Sequence, residues 1–287
     1  VDGMPTRTVT EERQKMVPVT KINKFAKVFL SKCQVIEIRS WQIEQAIAMF
    51  NSLNSTGMPL SDADIISAQL YSNSDSKDDF AGQWKRIIEL ASDLNAAKVV
   101  SIDSALQQFM YINRAVADEY KDGEVTVPGV RAYYLRNHSE LLKSPKSLCD
   151  SFEKTLQVWK VIKDFPTVKL LLKFNENSKL FLISYLSRFE VEELTQDKVC
   201  PMVECLLRLF TVLELVDAGY SSANFKTFLF NINKLLVNKD CPIEQIVARF
   251  NDHIREKWRL EELETRIKEY SKNILVFLNE YLYAKKK

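Results

Sequence analysis

A helix that stops and restarts within a few residues constrains this chain more than any other feature. Apolar residues at Ile43, Ala46, Ile47, Phe50 and Leu53 recur at helical spacing, which predicts a helix over 41–54 with one buried face. Gly57 then supplies a residue able to take the left-handed conformation just past a helix end. Pro59 keeps Met58 out of helical geometry. Ser61 is a natural N-cap, and Asp64 stands three residues on, in the capping-box relation. Leu60 and Ile65 flank that cap as a hydrophobic staple. The result is a sharply defined helix–turn–helix corner. It holds no nucleophile, no metal-ligand set and no phosphate loop.

Glycine scarcity extends the helical reading to the rest of the chain. Only 6 glycines and 8 prolines are spread over 287 residues. That leaves few tight turns for a β-sandwich or barrel and suits long helices joined by short loops. Hydrophobic content of 46% and charged content of 27% are those of an ordinary globular protein. A net charge of +2 gives no global argument for nucleic acid, leaving room only for a local patch. Five cysteines (Cys33, Cys149, Cys200, Cys205 and Cys241) are odd in number and widely spaced, which predicts reduced, buried thiols in a cytoplasmic protein. No apolar run approaches the ~20 residues that span a bilayer, so no membrane partner is expected. The N-terminal VDGMPTRTVTEER lacks the apolar core of a signal peptide and does not begin with Met, so the chain is expected to be a piece of a longer protein.

The expected fold class is all-α, a bundle-like array of about twelve helices in two units, with one short strand over 33–38. Residues 1–19 read as an irregular segment. Thr20 can cap a helix to Lys32 with Ile22, Phe25, Val28 and Phe29 on one face. CQVIEI at 33–38 is β-branched and partly alternating; it would pair with an upstream sheet or with part of 1–19. A helix over 75–94 should bury Phe80, Trp84, Ile87, Ile88 and Ala91. Another, over 101–120, should bury Leu106, Phe109, Met110, Ile112 and Val116. Lys121-Asp122-Gly123-Glu124 marks the boundary between units, 20–121 and 122–287. Beyond it a short helix is expected over 127–136. Ser144-Pro145 opens one reaching 164, and shorter ones follow over 166–173 and 178–189. The 200–216 segment, apolar on most of its circumference, should be the central buried helix of the second unit. Helices over 221–236, 242–258 and 261–283 complete the set.

The corner also carries a resemblance. Phe50-x-x-Leu53-Asn54-Ser55-Thr56-Gly57-Met58-Pro59-Leu60-Ser61-x-x-Asp64-Ile65 resembles the F-x-x-L-N-S-x-G-x-P-L-S-x-x-D-L signature of the GmrS-like family. These are the ParB/sulfiredoxin-like subunits of GmrSD-type, modification-dependent restriction and anti-phage systems. Val35-Ile36-Glu37-Ile38 and Glu44-Gln45-Ala46-Ile47 also look like that family. The resemblance covers 35–71. It implies that 20–121 is the C-terminal part of a GmrS-like domain and that 122–287 is a helical domain preceding an HNH nuclease. The family's D-G-Q-Q-R nucleotide-handling motif is absent, since Asp2-Gly3-Met4-Pro5 and Asp122-Gly123-Glu124 share only its first two letters. The histidine of the family's E-H-x-x-P-like nuclease stretch is absent too. The last helix, with NEYL, looks like the one that runs into that nuclease. The implied cofactors, a nucleoside triphosphate and a divalent metal, therefore belong to the parent protein and not to this segment. The implied partners are the missing nucleotide-handling and nuclease modules, with DNA reached through the parent.

Other chemical signals are weaker than their plain alternatives. The chain has only two histidines, His138 and His253, and no C-x-x-C pair, so converging zinc ligands are not expected. No G-x-S-x-G, G-x-x-x-x-G-K or G-x-G-x-x-G occurs, which leaves no catalytic residue to assign. Arg255, Lys257 and Arg259 lead a late basic cluster that could meet phosphates. Interleaved glutamates such as Glu256 and Glu261 favour an ordinary solvated surface. Tyr133-Tyr134 between Arg131 and Arg136 is the other possible nucleic-acid contact, against a core role for the rings. At the corner, Gly57, Ser61 and Asp64 have complete local explanations. Asn54 either caps the first helix or faces the missing nucleotide module. The expected function is non-catalytic coupling between sensor and nuclease modules. Direct DNA binding by the helical region and a free-standing protein-interaction domain are the alternatives.

Overall fold

The computed structural model describes residues 19–32, 39, 45, 49, 60–119, 129–173, 176–216, 222–257, 261, 264–265 and 272–286. Every regular element among them is helical, in twelve α-helices with short 3-10 and π turns. The chain divides into two compact units, Val1–Phe50 and Asn51–Lys287. The expected strand at 33–38, and Phe50, Leu53, Asn54, Gly57 and Pro59 of the corner, lie outside the described residues.

In the first unit, α1 (Val19–Lys32) begins one residue before Thr20, which sits in its first turn rather than at its cap. The apolar residues that share its one face, Ile22, Phe25, Val28 and Phe29, are exposed, Phe25 by 71%. Phe25 and Phe29 stack on each other, centroids 6.1 Å apart, as i,i+4 neighbours on one face.

The second unit opens with α2 (Asp62–Asn73), α3 (Lys77–Ala96) and α4 (Ile102–Val116), each started by a serine N-cap: Ser61, Ser76 and Ser101. Lys77 closes α2 from the far side, its amine donating to the carbonyls of Tyr71, Ser72 and Ser74. Two inward assignments fail. Ile88 is exposed because α3 buries the stripe Phe80, Ile87, Ala91 and Leu94, which lies a residue round the helix. Val116 is exposed because α4 ends there, short of Tyr120, and the backbone turns through Asp118 at φ 55°.

After the connection at 120–128, α5 (Val130–Ala132) runs into a π turn over Tyr133–Asn137, closed by the His138 N–H donating to the Tyr133 carbonyl at 2.8 Å. The short helix expected over 127–136 is thus described from Val130 and finishes as a π turn through Asn137. A 3-10 turn, Ser139–Lys143, leads to α6 (Pro145–Ile162), α7 (Pro166–Leu171) and α8 (Glu176–Leu186). Proline occupies the first position of α6 and α7, where its missing N–H costs no hydrogen bond. Then follow α9 (Gln196–Val216), α10 (Ser222–Val237), α11 (Ile243–Lys257) and α12 (Lys272–Lys285). α9 starts a turn before the expected Cys200, with Pro201 inside it.

One core runs through the second unit. α3 packs on α6, α4 on α6, α8 and α10, and α9 on α7, α8 and α11. Helices on both sides of the 121–124 break thus share it. Tyr111 of α4 stacks on Phe230 of α10, and its carbonyl accepts from Asn233 Nδ2 at 3.0 Å. Every residue of α8 from Ser178 to Leu186 is buried. α9, expected to be a central buried helix, buries Val199, Met202, Val203, Leu206, Leu207 and Phe210 and shares the interior with α8. Trp159 Nε1 donates to Gln108 Oε1 at 2.8 Å, so this deeply buried pair satisfies the indole donor and the amide oxygen together. No helix is long and apolar enough to cross a membrane among the described residues.

Candidate functional site

The outgoing half of the corner motif is built as its residue types require. The Asp64 N–H donates to Ser61 Oγ at 3.1 Å, and the Ser61 N–H donates back to Asp64 Oδ2 at 3.0 Å. The Ser61 hydroxyl itself donates to Asp64 Oδ2 at 2.8 Å. Two of the orphan donors at this helix start are thereby satisfied from within. Leu60 is half-buried and Ile65 buried, consistent with the staple positions.

Two distant residues complete the cluster. Asp103, in the first turn of α4, accepts from the Ala63 N–H at 3.0 Å. Arg131, on α5, donates from Nε to Asp62 Oδ1 at 3.0 Å and from Nη2 to the Leu60 carbonyl at 3.2 Å. Three carboxylates, Asp62, Asp64 and Asp103, thus gather at the positive end of the α2 dipole, and Arg131 offsets part of their mutual repulsion. The arrangement is mechanical. It fixes the direction in which the chain leaves the corner and ties that direction to α4 and α5.

Of the residues expected to meet nucleic acid, only Arg131 joins this cluster. Arg136 is exposed on the π turn. Arg255 is exposed on α11, 3.7 Å from Asp252, with Lys257 exposed nearby. Arg259 lies outside the described residues. α5 packs on α2 and α4, and α11 on α9 and α10, so these positions are distributed over different parts of the array. The stacking reading of Tyr133 and Tyr134 is corrected. Both rings are fully buried, with the Tyr134 hydroxyl donating to the Leu106 carbonyl at 2.9 Å and Asn113 Nδ2 donating to the Tyr133 oxygen at 2.7 Å. Burial pushes the Tyr133 phenol up to about 12.

A second polar cluster went unnoticed in the sequence. His138 Nε2 lies 3.1 Å from Glu119 Oε2, and its Nδ1 lies 3.1 Å from Glu140 Oε1. Its ring rests against Tyr133 at 4.4 Å between centroids, and Arg114 Nε is 3.8 Å from the same Glu119 oxygen. Glu140 sits two residues from His138, but nothing in the spacing marks Glu119 as its other partner. The contacts tie the end of α4 to the π turn.

The remaining reactive side chains are placed for packing. His253 lies flat on Phe228, ring centroids 3.8 Å apart, and desolvation, then Lys257 and Arg249, lower its pKa to about 4. Burial raises the thiols of Cys149 to about 12 and Cys205 to about 11, far from thiolate chemistry at neutral pH. No group of three or more His, Cys, Asp or Glu side chains able to hold a metal occurs among the described residues. No family model, curated protein or solved structure matches the chain.

Proposed function

We propose that this chain is the non-catalytic helical coupling region of a GmrSD-like, modification-dependent restriction protein acting in the cytoplasm in defence against phage. In that parent it joins a nucleotide-handling sensor module to an HNH nuclease module. The observation that carries this reading is the clamp on the corner motif. The run Phe50 to Ile65 resembles the family signature, and the helix that it opens is tied by Asp103 and Arg131 to two separate elements of the helical array. A helix start held in this way would pass a displacement of Leu60–Asp64 on to α4 and α5. A flexible joint would absorb it.

The test is the reading frame that encodes the chain, followed outward on both sides. The proposal expects a D-G-Q-Q-R segment upstream and a His-containing nuclease stretch downstream. A frame with neither overturns it in favour of a free-standing helical domain.

A further inference from the structure

A basic concavity of about 360 Å³ lies beside the α3–α4 connection, lined by Lys98, Lys163, Lys169 and Lys173 with Asp164 as the one carboxylate. Its amines come from three segments: the turn after α3, the turn between α6 and α7, and the end of α7. Asp164 is shared by Lys163, at 2.5 Å, and Lys169, at 3.1 Å, and both cations hold that carboxyl below its usual range. Lys173 pairs with Glu280 of α12. Lys160 stands exposed one helical turn before Lys163. Positive charge therefore exceeds negative charge around this hollow, in a chain whose overall balance is nearly neutral.

The backbone around Lys98 departs from what packing alone would select. Lys98 has φ 58° at the position after the end of α3, where a side chain is strained and glycine is favoured. The Lys98 N–H donates to the Asn95 carbonyl and the Val99 N–H to the Leu94 carbonyl, both at 2.9 Å, which is the Schellman pattern. Beneath it, the buried amine of Lys179 donates to the Val99 carbonyl at 2.6 Å and pairs with Glu176. The turn is thus pinned from two sides. It presents an exposed lysine where a glycine would fold more easily.

We propose that this concavity binds the phosphodiester backbone of nucleic acid, without reading base sequence. Four ammonium groups spread over three segments suit a run of phosphates better than a single enclosed one. The lining has no aromatic ring on which a base could stack, so the contacts would position the strand rather than specify it. This inference does not rest on the coupling role, because duplex binding by this surface is measured on the chain itself.

The experiment is fluorescence anisotropy of a random-sequence duplex DNA with the full chain, across a salt series, with ATP and inorganic pyrophosphate as competitors. Lys98→Gly is the discriminating variant, since it relieves the backbone strain. It should melt no lower than the wild type, yet bind duplex about threefold more weakly and with a salt slope reduced by roughly one. The paired variant Lys163→Gln/Lys169→Gln should weaken binding further. Three results would overturn the proposal: no salt-dependent duplex binding, duplex binding unchanged in both variants, or ATP binding at this site in the absence of duplex binding.

Discussion

The guanidinium of Arg131 reaches back across the fold to the carboxylate of Asp62, Nε to Oδ1 at 3.0 Å, and to the Leu60 carbonyl beside it. An arginine that sequence alone offered to nucleic acid is thereby occupied with the first turn of α2. The pair is partly exposed, so Arg131→Ala should cost about 0.5–1 kcal/mol. Ser61→Ala removes the cap itself and should cost about 0.5–2 kcal/mol. The two sites share one helix terminus, so denaturant titration of the double variant should depart from the sum of the single losses. Strict additivity would mean that Arg131 does not support the cap.

Phe210 is buried in α9 and stacks on Phe225 of α10, centroids 5.3 Å apart. Phe210→Ala should therefore cost about 3–5 kcal/mol, as an aromatic-to-alanine change in a packed core. A loss below about 1 kcal/mol on urea unfolding would show that α9 and α10 repack around the void.

The stacked His253 makes stability depend on pH in a definite direction. Its pKa falls from 6.5 in the unfolded chain to about 4 in the fold. Between those values the unfolded chain holds more protons, so stability from this group is intact above pH 6.5 and is lost as the pH falls toward 4. The ring is only partly enclosed, so the loss should be about 1–2 kcal/mol, less than the full difference implies. His253→Phe keeps an aromatic ring on Phe228 and removes the titration. Melting curves from pH 7 to pH 4.5 should fall less steeply for this variant. Parallel curves would contradict the assignment.

Much of the helical layout was legible because it is set by local chemistry. Ser61, Ser76 and Ser101 cap helices, and Pro145 and Pro166 open them, through contacts within a few residues. The misreadings are tertiary. Whether Ile88 or Leu94 faces inward depends on where α6 lies. The partners Asp103 and Arg131 lie far from the motif in sequence and have no periodic relation to it. The basic concavity was missed for the same reason, since its lysines come from separate segments. One local signal was available: Lys98 just past the end of an amphipathic helix, where glycine is the favoured residue.

The chain, purified on its own, should neither hydrolyse nucleoside triphosphates nor cut DNA, with or without added Mg²⁺ or Mn²⁺. Metal-dependent nicking that disappears in His138→Ala or His253→Ala would refute this and would place a catalytic centre within the helical array.

The most direct measurement of the proposed coupling role uses Arg131→Ala in the proposed parent protein, with nucleotide turnover and phage restriction followed together. The purified variant must first be shown to remain folded, with the small loss of stability expected for the severed clamp. The account predicts turnover at the wild-type level while restriction falls roughly tenfold, within the usual range of coupling free energies. Restriction at the wild-type level in that variant would contradict it, as would turnover and restriction falling together by one factor.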